Sequence, residues 1–231
     1  MRLSFLNRER EMSRLSRALR RVDGSMVGIY GRRRIGKSRL LRRAIADIPN
    51  TCYVGDERDG ALQRESLARE ASQLIPGFDT VVYPTWESLL LRWWKEAPAG
   101  SALALDEFPW MVASAPELPS LLQKLVDEAW PAPRHLFLCG SSQRMMLGQL
   151  LDASAPLFGR ATELIRLEPL APEYLGHGLS LASDVEVVEY YAIYGGIPRY
   201  WELASEFGDL WSGVSDLILE PMGVLHCEPQ R

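Results

Sequence analysis

The sequence predicts an α/β protein whose parallel sheet has helices on both faces, followed by a small helical subdomain. Short apolar segments alternate with longer amphipathic ones up to residue 168, as strands and helices do in a parallel sheet. The segment 102–105 is apolar throughout, which is typical of a strand covered on both faces. From Pro169 onward only helical patterns separated by Gly and Pro remain. We therefore expect an α/β domain over residues 1–168 and a helical lid subdomain over 169–231.

The individual elements follow from the spacing of apolar residues. The first helix is predicted to begin at Asn7 as its N-cap and to end before Asp23. The predicted strands are 26–30, 51–54, 102–105, 135–139 and 162–167. The predicted helices of the α/β domain are 38–45, 60–75, 86–96, 118–130 and 143–151. Those of the helical subdomain are 172–175, 184–194 and 199–207.

Composition excludes several classes of protein. The chain has 231 residues, 47% of them hydrophobic and 24% charged, as in ordinary globular proteins. No apolar run approaches the length of a membrane span, and the N-terminus becomes charged too early for a secretory signal. The three cysteines, Cys52, Cys139 and Cys227, are too scattered for a disulfide framework or a zinc site. They favour a reducing cytoplasmic environment.

The most specific motif lies at residues 31–38, which read Gly-Arg-Arg-Arg-Ile-Gly-Lys-Ser and fit the pattern G-x-x-x-x-G-K-[ST]. Two glycines allow the backbone N–H groups to approach phosphate oxygens, and the following helix adds partial positive charge. Lys37 is suited to the β- and γ-phosphates, and the Ser38 hydroxyl to Mg²⁺. The predicted nucleotide-binding residues here are Gly31, Arg32, Arg33, Arg34, Ile35, Gly36, Lys37, Ser38 and Arg39.

Two adjacent carboxylates follow the apolar strand at 102–105. We assign Asp106 to Mg²⁺, together with Ser38, and Glu107 to a water molecule that attacks the γ-phosphate. Mg²⁺ prefers oxygen ligands and retains several waters, so that few protein ligands are needed. The alternative is a solvated acidic turn.

Polar residues after the next strand form a second candidate group. The hydroxyl of Ser141 or Ser142 is placed to sense the γ-phosphate or to orient the water, and the alternative is a helix cap. Arg160 is a candidate arginine finger, acting in cis or in trans, and the alternative is a surface arginine or one paired with an acid. Arg199 either reports nucleotide state or belongs to a structural turn.

Charge is unevenly distributed along the chain. Residues 1–50 contain 14 Lys and Arg against 4 Asp and Glu, whereas the whole chain carries a net charge of −4. Such a basic segment either faces a polyanion such as DNA or consists of solvated helix faces and loop residues near a triphosphate.

Taken together, these motifs resemble the prokaryotic, archaeal-type ATPases of the AAA+-related branch of P-loop NTPases. The resemblance rests on Phe5, Asn7-Arg8-Glu9, Glu11, the loop 31–38, Asp106-Glu107-Phe108, residues 139–142, residues 157–160 and residues 195–199. It implies a sheet of order 5-1-4-3-2 followed by a helical lid, adenine contacts near Asn7 and Arg8, and ATP rather than GTP as the ligand.

Two features depart from that family. Ser141 stands where many AAA+ proteins have Asn or Thr. Family members usually continue into a winged-helix segment and often a nuclease-like domain, whereas this chain stops at residues 225–231, so that we expect an ATPase module without that region.

The sequence thus predicts a Mg²⁺-dependent ATPase with an undetermined task. A nucleotide-gated, STAND-like switch with little turnover is the alternative. A kinase is less favoured, because the Asp106-Glu107 pair offers a carboxylate for activating water. Association into a nucleotide-dependent homo-oligomer is left open.

Overall fold

The computed structural model describes residue 3, residues 5–128 and residues 130–228. Five strands form one parallel sheet in the order β2-β3-β4-β1-β5. Read from the other edge, this is the order 5-1-4-3-2 that the resemblance implied. The strands are β1 Ser25–Gly31, β2 Asn50–Val54, β3 Ser101–Asp106, β4 Arg134–Gly140 and β5 Glu163–Leu167.

Seven helices accompany the sheet in the described part of the chain, and they form where the sequence has helical periodicity and suitable caps. Asp59 accepts a hydrogen bond from the backbone of Leu62, and Thr85 forms a capping box with Ser88. The helices are α1 Glu9–Leu19, α2 Lys37–Ile45, α3 Gly60–Ala71, α4 Trp86–Glu96, α5 Phe108–Ser114, α6 Leu118–Asp127 and α7 Gln143–Leu150. A short 3-10 turn spans Phe78–Thr80.

The central strands lie in the core of this part of the molecule. Every residue of β1 and β3 is buried, as expected for strands covered on both faces. Trp86 and Trp93 of α4 are buried beside Phe78 and Phe108. The aromatic residues of α4 therefore belong to the core.

The chain divides into two compact units. The sheet unit consists of residues 8–32 and 37–167. The helical unit consists of residues up to Asn7, residues 33–36, and the chain from Glu168 onward. Its helices are α8 Pro172–Leu179, α9 Asp184–Tyr194, α10 Pro198–Ala204 and α11 Leu210–Val214, and a π-helical turn spans Ser215–Leu219. The domain boundary between residues 168 and 169, which was expected from the sequence, stays a prediction. Residues 229–231, at the end of the predicted helical subdomain, lie outside the part of the chain that the structure describes.

Several element boundaries differ from the sequence-based expectation. Asn7 is not the N-cap of α1; Arg8 holds that position without a capping side-chain bond, because both residues adopt left-handed backbone angles, with φ of 47° and 108°. Helix α3 ends at Ala71 and α6 at Asp127, each a few residues earlier than predicted. Helix α5 was not predicted, since only seven residues separate Glu107 from Ala115 and no full apolar stripe develops.

A buried acidic residue ties the first helix to the edge of the sheet. Glu163, at the start of β5, accepts a hydrogen bond of 2.7 Å from Arg14 Nε and one of 2.5 Å from the terminal nitrogen Nη2 of Arg17. The Glu163 side chain is 8% exposed, whereas both arginines remain accessible to solvent. Burial acts to raise the pKa of Glu163, but the bonds from Arg17 and Arg14 outweigh it and the pKa is lowered.

Replacing Glu163 by Gln is expected to reduce the free energy of unfolding by about 1–3 kcal/mol at neutral pH, because the charge-assisted hydrogen bonds from Arg14 and Arg17 are lost. Because the pKa of Glu163 is lower in the folded protein than its ordinary value of 4.5, the ionised carboxylate stabilises the fold fully at pH values above about 4.5. This stabilisation is lost as the pH falls through the folded-state pKa. The difference between wild type and variant in urea denaturation should therefore shrink in acid. Glu65→Gln, which breaks a pair exposed by 64% on each side, is the control and should change stability by less than about 0.5 kcal/mol. An equally small effect at Glu163 would show that its bonds to Arg14 and Arg17 do not stabilise the fold.

Candidate functional site

The carboxyl ends of three neighbouring strands bring the chemically distinctive residues together. Gly31 ends β1, Asp106 ends β3 and Gly140 ends β4, and these strands are adjacent in the order β3-β4-β1. Because all run parallel, their final residues lie at one edge of the sheet, where open α/β sheets bind ligands.

The loop between β1 and α2 owes its shape to two glycines. Gly31 has φ of 154°, and a Cβ at this position would come within 2.6 Å of the carbonyl oxygen of Leu167. Gly36 has φ of 100°, and a Cβ there would meet no described atom within 4 Å. Both glycines thus adopt backbone angles that other residues rarely do, as a phosphate-binding loop requires.

Lys37 is the best-connected charged group of the site. Its ammonium donates to the carbonyl oxygens of Gly31 at 3.1 Å and Arg32 at 3.0 Å, and to Ser141 Oγ at 2.9 Å. The residue is only 5% exposed. A buried ammonium is stable only with such acceptors, so that Lys37 fixes the loop against the end of β4.

The Glu107 carboxylate is hydrogen-bonded to the same serine, Ser141. Its Oε1 accepts a hydrogen bond from Ser141 Oγ at 2.6 Å, and its Oε2 one from the Ser141 backbone N–H at 3.2 Å. Glu107 has left-handed backbone angles, φ 50° and ψ 40°, which cost about 1–2 kcal/mol for a residue other than glycine. Ser142, in contrast, is the N-cap of α7 and makes no capping bond with its side chain.

Asp106 is buried beside this pair. It is 2% exposed, and its Oδ1 accepts a hydrogen bond of 3.0 Å from the backbone N–H of Glu107. Burial and the neighbouring Asp106 carboxylate raise the pKa of the Cys139 thiol well above its ordinary value. The Asp106 carboxylate and the exposed Ser38 hydroxyl are hard oxygen donors, and this donor chemistry fits Mg²⁺.

The sequence did not reveal that Cys139 lies beside Asp106 or that Ser141 connects Lys37 to Glu107. Cys139 is the penultimate residue of β4, which lies next to β3. This position was the signal in the sequence that could have placed Cys139 near Asp106. No local pattern shows that one hydroxyl reaches both an ammonium and a carboxylate, since Lys37 and Ser141 are 104 residues apart.

Arg160 lies away from these residues. It forms an ion pair with Asp127, with distances of 2.7 Å from Nε to Oδ1 and 2.6 Å from Nη2 to Oδ2. It also lines a cavity of about 420 Å³ with Gly24, Ser25 and Arg134, at the starts of β1 and β4. A seven-residue strand is roughly 20 Å long, so that Arg160 does not share the edge of Lys37 in the sheet unit. Within the sheet unit, Arg160 is therefore not placed to act as an arginine finger on its own chain, which corrects that expectation. Its action on a neighbouring molecule stays a prediction.

The remaining predicted residues occupy varied positions. Arg8 is nearly buried and pairs with Glu11 at 3.2 Å, and Asn7 precedes it. Arg199 is 51% exposed and pairs with Glu202 at 3.2 Å. Ile35 is buried, whereas Arg32, Arg33 and Arg39 are exposed. The adenine contacts and the sensing role stay predictions.

One arginine of the phosphate loop has a distant partner that the sequence did not indicate. Within the helical unit, Arg34 Nη1 lies 2.8 Å from Glu228 Oε2, and the other oxygen of Glu228 accepts a hydrogen bond of 2.5 Å from Tyr200. Arg34 has left-handed backbone angles, with φ of 65°. Arg34 and Glu228 are 194 residues apart, so that no sequence pattern joins them.

Part of the basic N-terminal segment is already neutralised. Arg14 and Arg17 both bind Glu163, which leaves fewer arginines of α1 for a polyanion.

None of the helices that the structure describes is both long and apolar enough to cross a membrane.

Comparison with known proteins agrees with this geometry. The model of a family described as an ATPase domain predominantly from Archaea matches residues 5–203. The chain belongs to this family. An uncharacterised protein of Methanocaldococcus jannaschii is 31% identical over 201 residues, which cover 86% of this chain and 43% of that protein. The chain therefore spans less than half the length of this curated relative.

Solved structures support the fold of this archaeal-type ATPase domain. A Walker-type ATPase of Pyrococcus abyssi has a TM-score of 0.71 at 19% identity, over 91% of this chain and 71% of that one. The ORC2 protein of Aeropyrum pernix, in its complexes with ADPNP and ADP, has a TM-score of 0.59 at 15% identity, over 88% and 63%. The AAA+-like P-loop fold predicted from the motifs is confirmed.

Proposed function

We propose that this ATPase domain binds ATP with Mg²⁺ and hydrolyses it. The observation that carries the proposal is that Lys37 of the phosphate loop and Glu107 meet at Ser141. A group for the triphosphate and a group for the attacking water thus lie within reach of one hydroxyl. Membership of an ATPase family, and the ADPNP and ADP of the ORC2 complexes, support ATP as the ligand.

Each side chain has a distinct task in this proposal. The loop N–H groups and Lys37 bind the β- and γ-phosphates. Glu107 orients a water molecule and accepts its proton as the water oxygen bonds to the γ-phosphorus, and the bond to the β,γ-bridging oxygen breaks to release ADP. Ser38 and Asp106 would hold Mg²⁺, which neutralises charge on the phosphates when bound.

The alternative is a nucleotide-gated switch that exchanges nucleotide with little turnover. The bonds of both Glu107 carboxylate oxygens to Ser141 favour it, because a carboxylate engaged in this way is less available to water. Steady-state ATP hydrolysis decides between the two functions.

Other parts of the proposal rest on weaker support. A cytoplasmic location is proposed from the free thiols of Cys52, Cys139 and Cys227. Contact with DNA is proposed from exposed arginines at the end of α1 and on α2, among them Arg20, Arg42 and Arg43. Comparing hydrolysis with and without double-stranded DNA addresses this contact, and light scattering with and without nucleotide addresses assembly into a homo-oligomer.

Lys37→Ala is expected to weaken ATP binding at least tenfold, because the ammonium that faces the phosphates is removed. The dissociation constant is measured by titration with a fluorescent ATP analogue. The control is Lys95→Ala, which removes an exposed lysine of α4 and should leave the constant unchanged. Binding by Lys37→Ala within threefold of wild type would rule out the assignment.

Glu107→Gln is expected to preserve ATP binding and to lower turnover by roughly 10²-fold or more, because an amide cannot accept the proton of the water. Asp106→Asn should instead increase the Mg²⁺ concentration required for activity. Glu117→Gln, at an exposed position before α6, serves as the control for general charge effects. Turnover by Glu107→Gln at the wild-type rate would show that another group activates the water. If the wild type binds ATP without turnover, the switch is the better description.

If Arg160 acts in trans, ATPase activity per molecule should rise with protein concentration, and mixing Arg160→Ala with Glu107→Gln should restore activity. Each variant then supplies the group that the other lacks, and a finger contributes roughly 10³–10⁵-fold in well-studied NTPases. Thermal unfolding of Arg160→Ala serves as a control, because this variant also loses the ion pair with Asp127. A change in turnover below twofold would leave Arg160 with a structural role only.

A further inference from the structure

A carboxylate far along the chain is bonded to the phosphate loop. Glu228 Oε2 accepts a hydrogen bond of 2.8 Å from Arg34 Nη1. Arg34 lies in the loop 31–38 and is 194 residues away from Glu228, although both belong to the helical unit. The family model matches residues 5–203. The bond therefore joins the loop to a part of the chain that the family model does not match.

Neighbouring groups hold the Glu228 carboxylate in place. Its other oxygen, Oε1, accepts a hydrogen bond of 2.5 Å from the hydroxyl of Tyr200, which is buried in α10. The backbone N–H of Glu228 donates to the carbonyl oxygen of Leu225 at 3.1 Å, and the buried Leu225 is bonded through its own N–H to Leu217. The Glu228 side chain is only 16% exposed. The arginine thus binds a carboxylate that is itself fixed within the helical unit.

The backbone of Arg34 explains why this partner matters. Its φ of 65° is a left-handed angle, which costs free energy for a residue with a Cβ and persists where surrounding bonds hold it. The other two positive φ angles in the loop 31–38 belong to Gly31 and Gly36, which adopt them readily. Arg34 is therefore the position in the loop at which a side-chain bond can decide the backbone angle.

The shape of the backbone bears directly on ligand binding. A phosphate loop binds through N–H groups that converge on phosphate oxygens, and they converge only while the loop keeps its curved shape. A loop that already has this shape in the free protein loses less conformational entropy when the ligand binds. A bond that fixes Arg34 therefore favours ADP as well as ATP.

We propose that Glu228 is a positioning residue for the phosphate loop: it holds Arg34 in the left-handed conformation and so keeps the loop in the shape that binds phosphate. This inference rests on the proposed function and adds to it a requirement for a carboxylate outside the nucleotide-binding motifs. If Arg34 instead bound a phosphate with its guanidinium, Glu228 would compete with the ligand, and removing Glu228 would have the opposite effect on affinity.

The first test measures the dissociation constants of ADP and ATP by competition with a fluorescent ADP analogue. Glu228→Ala is expected to weaken both nucleotides by roughly threefold or more, because a charge-assisted hydrogen bond that orders the loop is lost. In an Arg34→Gly background, the same change should alter affinity by less than about twofold, since glycine adopts left-handed angles without a side-chain bond. Glu220→Ala, which removes an exposed carboxylate before the same segment, is the matched control and should leave both constants unchanged.

Hydrogen exchange provides a second measurement, which requires no nucleotide. The backbone amides of residues 32–37 should exchange faster in Glu228→Ala than in the wild type, because the loop opens more often. In Glu220→Ala they should exchange at the wild-type rate.

The outcomes separate positioning from other roles of Glu228. Equal weakening with arginine and with glycine at position 34 would show that Glu228 supports the fold in general, and would overturn the inference. Tighter nucleotide binding by Glu228→Ala would indicate competition for Arg34 and would overturn it as well, as would unchanged affinity or unchanged exchange. If the wild type binds neither nucleotide, the proposed function fails, whereas faster exchange of the loop in Glu228→Ala still supports the positioning.

Discussion

The site depends on the buried ammonium of Lys37. A charge in this position is tolerated because oxygen atoms accept its hydrogen bonds, among them the carbonyl oxygens of Gly31 and Arg32 and the hydroxyl of Ser141. Those oxygens belong to the loop after β1 and to the end of β4, so that the same bonds that stabilise the lysine also close the loop and fix it against the sheet. Glu107 is connected to this arrangement through Ser141. Geometry at the phosphate loop and geometry at the carboxylate are therefore coupled.

The parallel sheet explains why these groups meet and why Arg160 does not join them. The ends of β1, β3 and β4 lie at one edge, whereas Arg160 lies beside the starts of β1 and β4. A strand length separates the two edges. An arginine at the second edge contributes to the chemistry at the first only from another molecule, which connects its proposed role with assembly.

Two residues of the candidate site have unusual backbone angles. Left-handed angles occur at Arg34 in the phosphate loop and at Glu107 after β3. Such conformations cost free energy and persist where surrounding bonds hold them. Arg34 is held by Glu228, and Glu107 by Ser141, so that side-chain bonds stabilise the backbone at both positions. The functional residues are thus fixed by their partners as well as by the loop sequence.

The sequence by itself determined the phosphate loop and the acidic pair, because each depends on local signals, whereas the strand order was implied by the family resemblance. The spacing of Gly31, Gly36 and Lys37 specifies a turn and a charge, and an apolar strand followed by Asp106-Glu107 specifies where the carboxylates lie. Capping at Asn7 and the length of α6 were mispredicted, since backbone angles and neighbouring turns decide them. Only the tertiary structure decided that Ser141 joins Lys37 to Glu107, that Asp127 binds Arg160 and that Glu228 binds Arg34. These pairs are separated by 33 to 194 residues, and packing of the whole chain, which no local pattern encodes, brings them within hydrogen-bonding distance.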